Sequence, residues 1–264
     1  HAPPHPPRPK SYIFFLSGGL TMKKICGKKL AFLLAACVLA AGTFVSCGEK
    51  ETEEPTAADS LAKPTGNDPF TKAEYRAVIT STYIDKDGES KEYDGTYYCV
   101  FDTKERIITV YEDEEKTLDN NTYQKKYTYD TNSKTVTLAY YALAIPTDID
   151  AYVSWEIADT EEYTGKWKFG SKNDFIDGYL QKSYDTHVAK LEKRIADKKA
   201  TGDDYKGLQK QLDDMPNQWK KAVAKLDKQF DEAITYDYSK DGNVITLTNA
   251  NADPKKLVLT PASN

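Results

Sequence analysis

The sequence predicts an α+β protein, mainly an antiparallel β-barrel of about eight strands, with an inserted block of two to three helices. Two observations predict this class. Turn sequences separate runs of β-branched and aromatic residues, over residues 74–142 and again over residues 234–260. Between these regions, apolar residues of the 175–233 segment recur at helical spacing. Strands on both sides of a helical block favour one sheet with an insertion.

Eight strands are predicted from these runs. The dipeptide Asp94-Gly95, between alternating segments, is a strong signal of a hairpin turn. Eight antiparallel strands can close into a small barrel, and closure removes exposed strand edges. The predicted strands lie near residues 74–84, 95–102, 106–112, 123–130, 134–142, 234–239, 243–249 and 255–260.

Residue alternation within the strands indicates which side chains point into the barrel. Side chains of a strand point to opposite faces with a period of two residues. Val136, Leu138 and Tyr140 therefore share one face, and we expect it to be the inner one. Tyr127 and Tyr129 share a face of the preceding strand in the same way.

Cys99 lies on a further predicted inner face, together with Tyr97 and Phe101. Of the four cysteines, three lie at or before Cys47, so Cys99 is alone in the body of the chain. It has no partner there for an intramolecular disulfide, and free cysteines are among the most buried residues. We therefore predict that Cys99 is a core residue.

The helical block is predicted to contain three helices. Apolar residues recur at spacings of three and four, as in Leu180, Tyr184, Val188, Leu191 and Ile195. Gly202 is expected to end the first helix, and Pro216 to separate the next two, because proline removes a hydrogen bond from a helix interior. The predicted helices are 175–199, 203–214 and 216–233. Residues 150–170 fit either a strand pair or a loop over the barrel mouth.

A lipoprotein signal peptide is predicted at residues 22–46. It starts with the basic sequence Met22-Lys23-Lys24, continues with an apolar run from Leu30 to Val45 and is followed by Cys47. A basic start, an apolar stretch and a small residue before the cut define a secretory signal. A cysteine at the cut receives the diacylglyceryl and palmitate groups, so Cys47 is the predicted lipidation site. Cys37, after Leu34-Ala35-Ala36, is the alternative.

The remaining segments follow from composition. Residues 1–21 are rich in proline near their start and are expected to be upstream sequence, with translation beginning at Met22. Residues 47–69 are polar and are predicted to form a disordered tether, because they have little apolar surface to offset the entropy of ordering. Residues 70–261 are the predicted barrel domain, with the helical insertion at 175–233.

The charge of the chain restricts its partners. All 41 acidic residues and 30 of the 36 basic ones lie from Cys47 onward, which gives this part a net charge of −11. Such a surface repels nucleic acid and anionic lipid headgroups. We expect no nucleic-acid partner, and attachment to a bacterial outer membrane or cell surface through the lipid anchor alone.

Four strand sequences are similar to those of a known family. They are Tyr97-Tyr98-Cys99-Val100-Phe101-Asp102, Ile107-Ile108-Thr109-Val110-Tyr111, Tyr127-Thr128-Tyr129-Asp130 and Thr135-Val136-Thr137-Leu138. They resemble the meander strands of bacterial lipocalin-like (calycin-type) surface lipoproteins. The resemblance implies an up-and-down barrel with an interior ligand site. Inward aromatic residues would then bind the ligand, namely Tyr97, Phe101, Tyr127, Tyr129 and Tyr140.

The sequence shows no recognisable catalytic motif. From Cys47 onward it has one histidine, His187, and it has no zinc-ligand spacing and no nucleophile elbow. We therefore expect a monomeric binding protein that is not an enzyme and that uses no metal or other cofactor.

Two functions are compatible with these features. In the first, the barrel binds a small apolar ligand or a host protein. In the second, the barrel is solid, and the helical insertion is the docking surface of an adhesin or structural protein. The interior volume distinguishes them, because a small-molecule pocket needs about 300 Å³ or more.

Overall fold

The computed structural model describes residues 57–84, 88–158 and 163–262. Within these residues the strands are β1 Glu74–Ile84, β2 Ser90–Asp102, β3 Ile107–Tyr111, β4 Tyr123–Asp130, β5 Thr135–Pro146, β6 Trp167–Gly170, β7 Ala233–Asp241, β8 Val244–Thr248 and β9 Lys256–Pro261. The helices are α1 Ile149–Ala158, α2 Gln181–Thr201 and α3 Lys206–Asp231, and a π-helical segment, Asp174–Leu180, runs directly into α2.

The sheet is a closed antiparallel barrel. The strands pair in the order β4-β3-β2-β1-β9-β8-β7-β5, and β4 also pairs with β5, which joins the two ends of this order. The short β6 adds to the end of β5, opposite Leu143 to Pro146. The helices are inserted between β5 and β7. The predicted fold class, an eight-stranded barrel with a helical insertion, is confirmed.

The inner face of the barrel follows the predicted alternation. Val136, Leu138 and Tyr140 on β5 are all buried, as are Cys99 and Phe101 on β2. The prediction of Cys99 as a core residue is confirmed. Tyr97, two residues before it, is only half-buried and packs against the edge of the same core.

The chain before β1 closes one end of the barrel. Phe70 is 2% exposed, and its ring centroid lies 4.4 Å from that of Phe101 and 5.2 Å from that of Tyr127. Asp68 holds this segment in place. One of its carboxylate oxygens accepts a hydrogen bond from the Tyr127 hydroxyl at 2.8 Å, and the other accepts one from the Phe70 amide at 2.9 Å.

The predicted disordered tether is wrong for the part of it that the structure describes. The Thr65 amide donates to the Tyr129 carbonyl, the Thr65 carbonyl accepts from the Thr131 amide, and the Thr128 hydroxyl donates to the Ala62 carbonyl. These bonds hold residues 62–65 along the end of β4. The segment is ordered by contacts with a distant strand, and its own composition does not reveal them. Cys47, Cys37, the signal peptide and residues 1–21 lie outside the described residues.

Two helices pack into a separate apolar cluster beside the barrel. The π-helical segment and α2 together form the first helical stretch, residues 174–201. Its Leu180 and Leu191 pack in one cluster with Met215, Trp219 and Leu226 of α3. α2 ends at Gly202, as predicted, where a left-handed conformation (φ 77°) lets its amide bond back to the last turn.

The break predicted at Pro216 is wrong, because α3 continues through this residue from Lys206 to Asp231. Buried residues recur along one face of α3 on both sides of the proline, at Met215, Trp219, Leu226 and Phe230. Pro216 itself lies on the exposed face. Continuous packing of the buried stripe therefore outweighs the hydrogen bond that proline removes.

The segment that the sequence left unplaced forms α1 and β6. Tyr152 of α1 is buried in an aromatic cluster and lies 5.3 Å from Trp167 of β6 and 5.6 Å from Tyr179 of the π-helical segment, between ring centroids. This cluster packs α1 and the π-helical segment against β6, which pairs with the end of β5. In the described part of the chain, no helix combines the length and apolar character needed to cross a membrane.

We predict that Pro216→Ala stabilises the protein by about 2 kcal/mol. In a helix interior alanine is about 3 kcal/mol more favourable than proline, because it restores the missing hydrogen bond. The substitution also makes the unfolded chain more flexible, which lowers the stability of the folded protein by about 0.4–1 kcal/mol. Urea unfolding measures the change.

The matched control is Asn217→Ala, the exposed neighbour on the same helix. It changes helix propensity alone, and the expected gain is about 0.5 kcal/mol. A loss of stability in Pro216→Ala would contradict the continuous helix, since proline is favoured at the first position of a helix that starts there.

Candidate ligand-binding site

The barrel contains a cavity of about 290 Å³ that is open to solvent on one side. All eight strands of the closed sheet contribute to its wall, so it lies on the barrel axis. Most of the wall is aliphatic or aromatic, and the residues that line it from the strands are Ile79, Cys99, Phe101, Ile108, Val110, Tyr123, Lys125, Leu138, Tyr140, Ile234, Tyr236, Leu247, Leu257 and Leu259.

The end of α3 covers the other mouth of the barrel. Phe230 is 1% exposed and packs on the ring of Tyr140, and Gln229 bonds to the Tyr140 hydroxyl. On the adjacent strand β7 the Tyr236 hydroxyl donates to the Pro254 carbonyl at 3.2 Å.

The cavity reaches the surface beside this cover. The cavity is lined there by Lys225 and Lys228 of α3, by Glu232 directly after the helix and by Asp253 of the β8–β9 loop, and all four are also exposed to solvent. A small molecule can therefore enter between the end of α3 and this loop.

Among the described residues of the barrel strands, Lys125 is the one charged side chain in the cavity wall. It lies on β4 between Tyr123 and Tyr127, opposite Ile108 of β3 and Tyr140 of β5. Its Nζ lies 3.4 Å from the centroid of the Tyr140 ring and 5.7 Å from that of Tyr123. A cation so close to a ring face is attracted by the ring quadrupole.

The environment of Lys125 disfavours its charge. Its side chain keeps some accessible surface because it borders the cavity, but protein surrounds it. Within the described residues, no carboxylate forms an ion pair with it. Burial therefore lowers the pKa of Lys125 from 10.5 to about 7.

Lys125 and its neighbour Lys126 point to opposite faces of β4, because side chains alternate along a strand, and a shift in strand pairing lies just before them. Gln124 pairs with Ala142 and Lys125 with Tyr140, so Tyr141 forms a bulge between them. The ring of Tyr141 is 40% exposed, and Lys126 Nζ lies 5.5 Å from its centroid on the outside of the barrel. Each lysine therefore lies beside a tyrosine ring, Lys125 inside the barrel and Lys126 outside it, so Lys126 is a matched control for Lys125.

The other titratable groups inside the cavity are held neutral. Burial raises the pKa of the Cys99 thiol to about 12 and raises the pKa values of Tyr123, Tyr140 and Tyr236 above their usual range. A protonated thiol is a poor nucleophile. Among the described residues, the part of the cavity wall that the barrel strands form is therefore mostly apolar and neutral apart from the Lys125 amine.

The structure brings two of the five sequence-predicted ligand residues to the cavity. Phe101 and Tyr140 line it. Tyr97 packs at the edge of the core, and its pKa is raised by burial to about 12. Tyr127 lies at the closed end, where its hydroxyl bonds to Asp68 and its ring packs against Phe70. The ring of Tyr129 packs beside that of Tyr127, with 6.5 Å between the two centroids. Ligand binding by Phe101 and Tyr140 stays a prediction.

Sequence reasoning missed Lys125, although a signal for it was present. Tyr127 and Tyr129 share a face, and extending the same period of two backwards places Lys125 and Tyr123 on that face. A charged residue on an otherwise aromatic inner face is the pattern that marks this position.

Comparison of the chain with protein-family models, with curated proteins and with solved structures finds no match. The class of the protein, a closed antiparallel β-barrel with a helical insertion, therefore follows from the strand pairing alone.

We predict that Lys125→Met is more stable than the native protein at pH 6, by at most about 5 kcal/mol, because one pKa unit corresponds to about 1.4 kcal/mol. Below pH 7 the folded protein holds the unfavourable ammonium. Between pH 7 and 10.5 the unfolded chain binds a proton that the folded chain lacks, so native stability rises with pH. In Lys125→Met the free energy of unfolding lacks this rise with pH, so the difference in stability between the variant and the native protein shrinks towards pH 10.

Urea unfolding at pH 6, 8 and 10 measures the difference, with Lys126→Met as the control. A surface lysine beside an exposed ring contributes little, so the control should stay within about 0.5 kcal/mol of the native protein at each pH. Equal stabilities of the native protein and Lys125→Met at pH 6 would show that the amine does not lie in an apolar environment.

Proposed function

We propose that this protein is a lipid-anchored lipoprotein of the bacterial envelope whose barrel binds a small, mainly apolar molecule without transforming it. The observation that carries the proposal is the cavity of about 290 Å³ on the barrel axis. Its size is at the lower end of small-molecule pockets, and its wall is mostly apolar with few polar groups, as is usual for such sites.

The two covered ends of the barrel support binding inside it. Phe70 closes one end, and Phe230 and Gln229 cover part of the other. A ligand between these covers would be removed from water over most of its surface, which favours binding of apolar groups.

The second function compatible with the sequence required a solid barrel with the helical block as a docking surface. The apolar stripes of the helical block are used within the protein, because Trp219 and Leu226 are buried against the first helical stretch and Phe230 against the barrel. The interior cavity favours the small ligand over a host protein as the partner.

The anchor rests on the sequence from Met22 to Cys47. A lipid on Cys47 would leave residues 48–56 between the membrane and the first residue that the structure describes. Because residues 57–70 lie along the barrel, this short link would hold the barrel close to the membrane surface, at the outer membrane or the cell surface.

We predict that Val110→Phe weakens binding of 1-octanol at least about tenfold. Val110 lines the cavity, and the larger ring occupies space that several ligand atoms would need, each worth about 0.3 kcal/mol or more. Calorimetric titration of the purified full-length chain measures the affinity.

Thr109→Phe is the matched control, since it adds a ring on the outer face of the same strand. Its affinity for octanol should stay within about twofold of the native value. Equal affinity of Val110→Phe and the native protein would place the alcohol outside the barrel.

We also predict that Cys47→Ala moves the protein from the membrane fraction to the soluble fraction, because the acyl chains cannot be attached without the thiol. Cys99→Ala is the control and should stay in the membrane fraction. Retention of Cys47→Ala with release of Cys37→Ala would move the anchor to Cys37, and retention of both variants would contradict a lipid anchor.

A further inference from the structure

The position of Lys125 raises the question of what its amine contacts when the cavity is filled. An ammonium group in an apolar cavity is costly unless an opposite charge accompanies it. Lys125 Nζ has ring faces beside it and, among the described residues, no carboxylate partner. A ligand that carries an anionic group would supply the missing counter-charge.

The groups around Lys125 do not supply a counter-charge for its amine. The cavity residues that titrate are Cys99 on β2, Tyr123 on β4, Tyr140 on β5 and Tyr236 on β7, and all of these are neutral in the folded protein. Among the described residues, the charged ones at the mouth are Lys225 and Lys228 of α3, Glu232 directly after this helix and Asp253 of the β8–β9 loop. Their charges balance, and Lys228 pairs with Glu232 at 3.5 Å, so the mouth does not offer an unopposed cation.

The rest of the wall suits a hydrocarbon chain. Apart from the groups named above, the strands contribute aliphatic residues, such as Ile108, Val110, Leu138, Leu247 and Leu259. The volume of about 290 Å³ is close to the lower limit of about 300 Å³ for small-molecule pockets, which favours a short chain over a long one. An acid of about eight carbon atoms, with ten non-hydrogen atoms, is a small ligand of this kind.

We propose that the ligand is an apolar monocarboxylic acid of medium chain length, held with its carboxylate on Lys125 Nζ and its chain among the aliphatic residues of the barrel. This inference rests on the proposed function, since it concerns the same cavity. The carboxylate lies inside the barrel and forms a charge-assisted hydrogen bond with the amine, which stays protonated in the complex.

Calorimetric titration of the purified full-length chain with octanoate and with 1-octanol tests the inference. The two ligands have the same chain and differ in the charged group. At pH 6 the native protein should bind octanoate about 10- to 100-fold more tightly than octanol, because a hydrogen bond between charged groups is worth that factor. Lys125→Met should lose this preference and keep its affinity for octanol, and Lys126→Met should behave as the native protein does.

The pH dependence provides a second readout. Octanoate is ionised from pH 6 to pH 9, so only the protein titrates in this range. The affinity of the native protein for octanoate should fall about tenfold or more between pH 6 and pH 9 as Lys125 loses its proton, whereas the affinity for octanol stays constant. Lys125→Arg keeps its charge and should remove the pH dependence.

The outcomes separate the inference from the proposed function. Equal binding of octanoate and octanol, or an acid preference that survives in Lys125→Met, overturns the carboxylate site and leaves the apolar cavity in place. Loss of the preference in Lys228→Met but not in Lys125→Met also overturns it, because the carboxylate would then lie at the mouth. If neither ligand binds the native protein, the proposed function fails, and the inference fails with it.

Discussion

The backbone hydrogen bonds of β1 with β9, and of β4 with β5, close the sheet into a cylinder. Closure satisfies the edge strands and directs every second side chain towards one axis. It also creates two open ends that the strands cannot cover themselves. Phe70, from the chain before β1, covers one end, and Phe230, from the end of α3, covers part of the other. The segments before and between the strands are therefore needed to complete the core.

A cluster of large rings fills the closed end of the barrel, where Phe70, Tyr75, Phe101 and Tyr127 meet with centroid distances of 4.4–6.3 Å. The cavity wall combines the rings of Tyr123, Tyr140 and Tyr236 with shorter residues, such as Val110 and Leu247. Lys125 lies in this wall. A long amine in an apolar core lowers stability, and such departures from the rules of core packing are expected where a site has a function.

α3 joins the two apolar cores of the protein. Met215 and Trp219 belong to the cluster of the helical block, whereas Phe230 belongs to the barrel. Because one continuous helix carries all three residues, a shift of the helical block would move Phe230 and Gln229 at the mouth of the cavity. The helical insertion is thus part of the site as well as an addition to the barrel.

The sequence by itself determined the eight strands of the closed barrel, the inner faces of β2 and β5, the burial of Cys99 and the end of α2 at Gly202. These features depend on local periodicity and on the conformational freedom of single residues. The tertiary structure alone decided three others: the order of residues 57–69, the continuity of α3 through Pro216 and the contact of Lys125 with Tyr140. Each depends on partners distant in the chain or on another strand, as Asp68 does on Tyr127. Local sequence patterns do not contain the free energy of such contacts, because those contacts form only when the barrel closes.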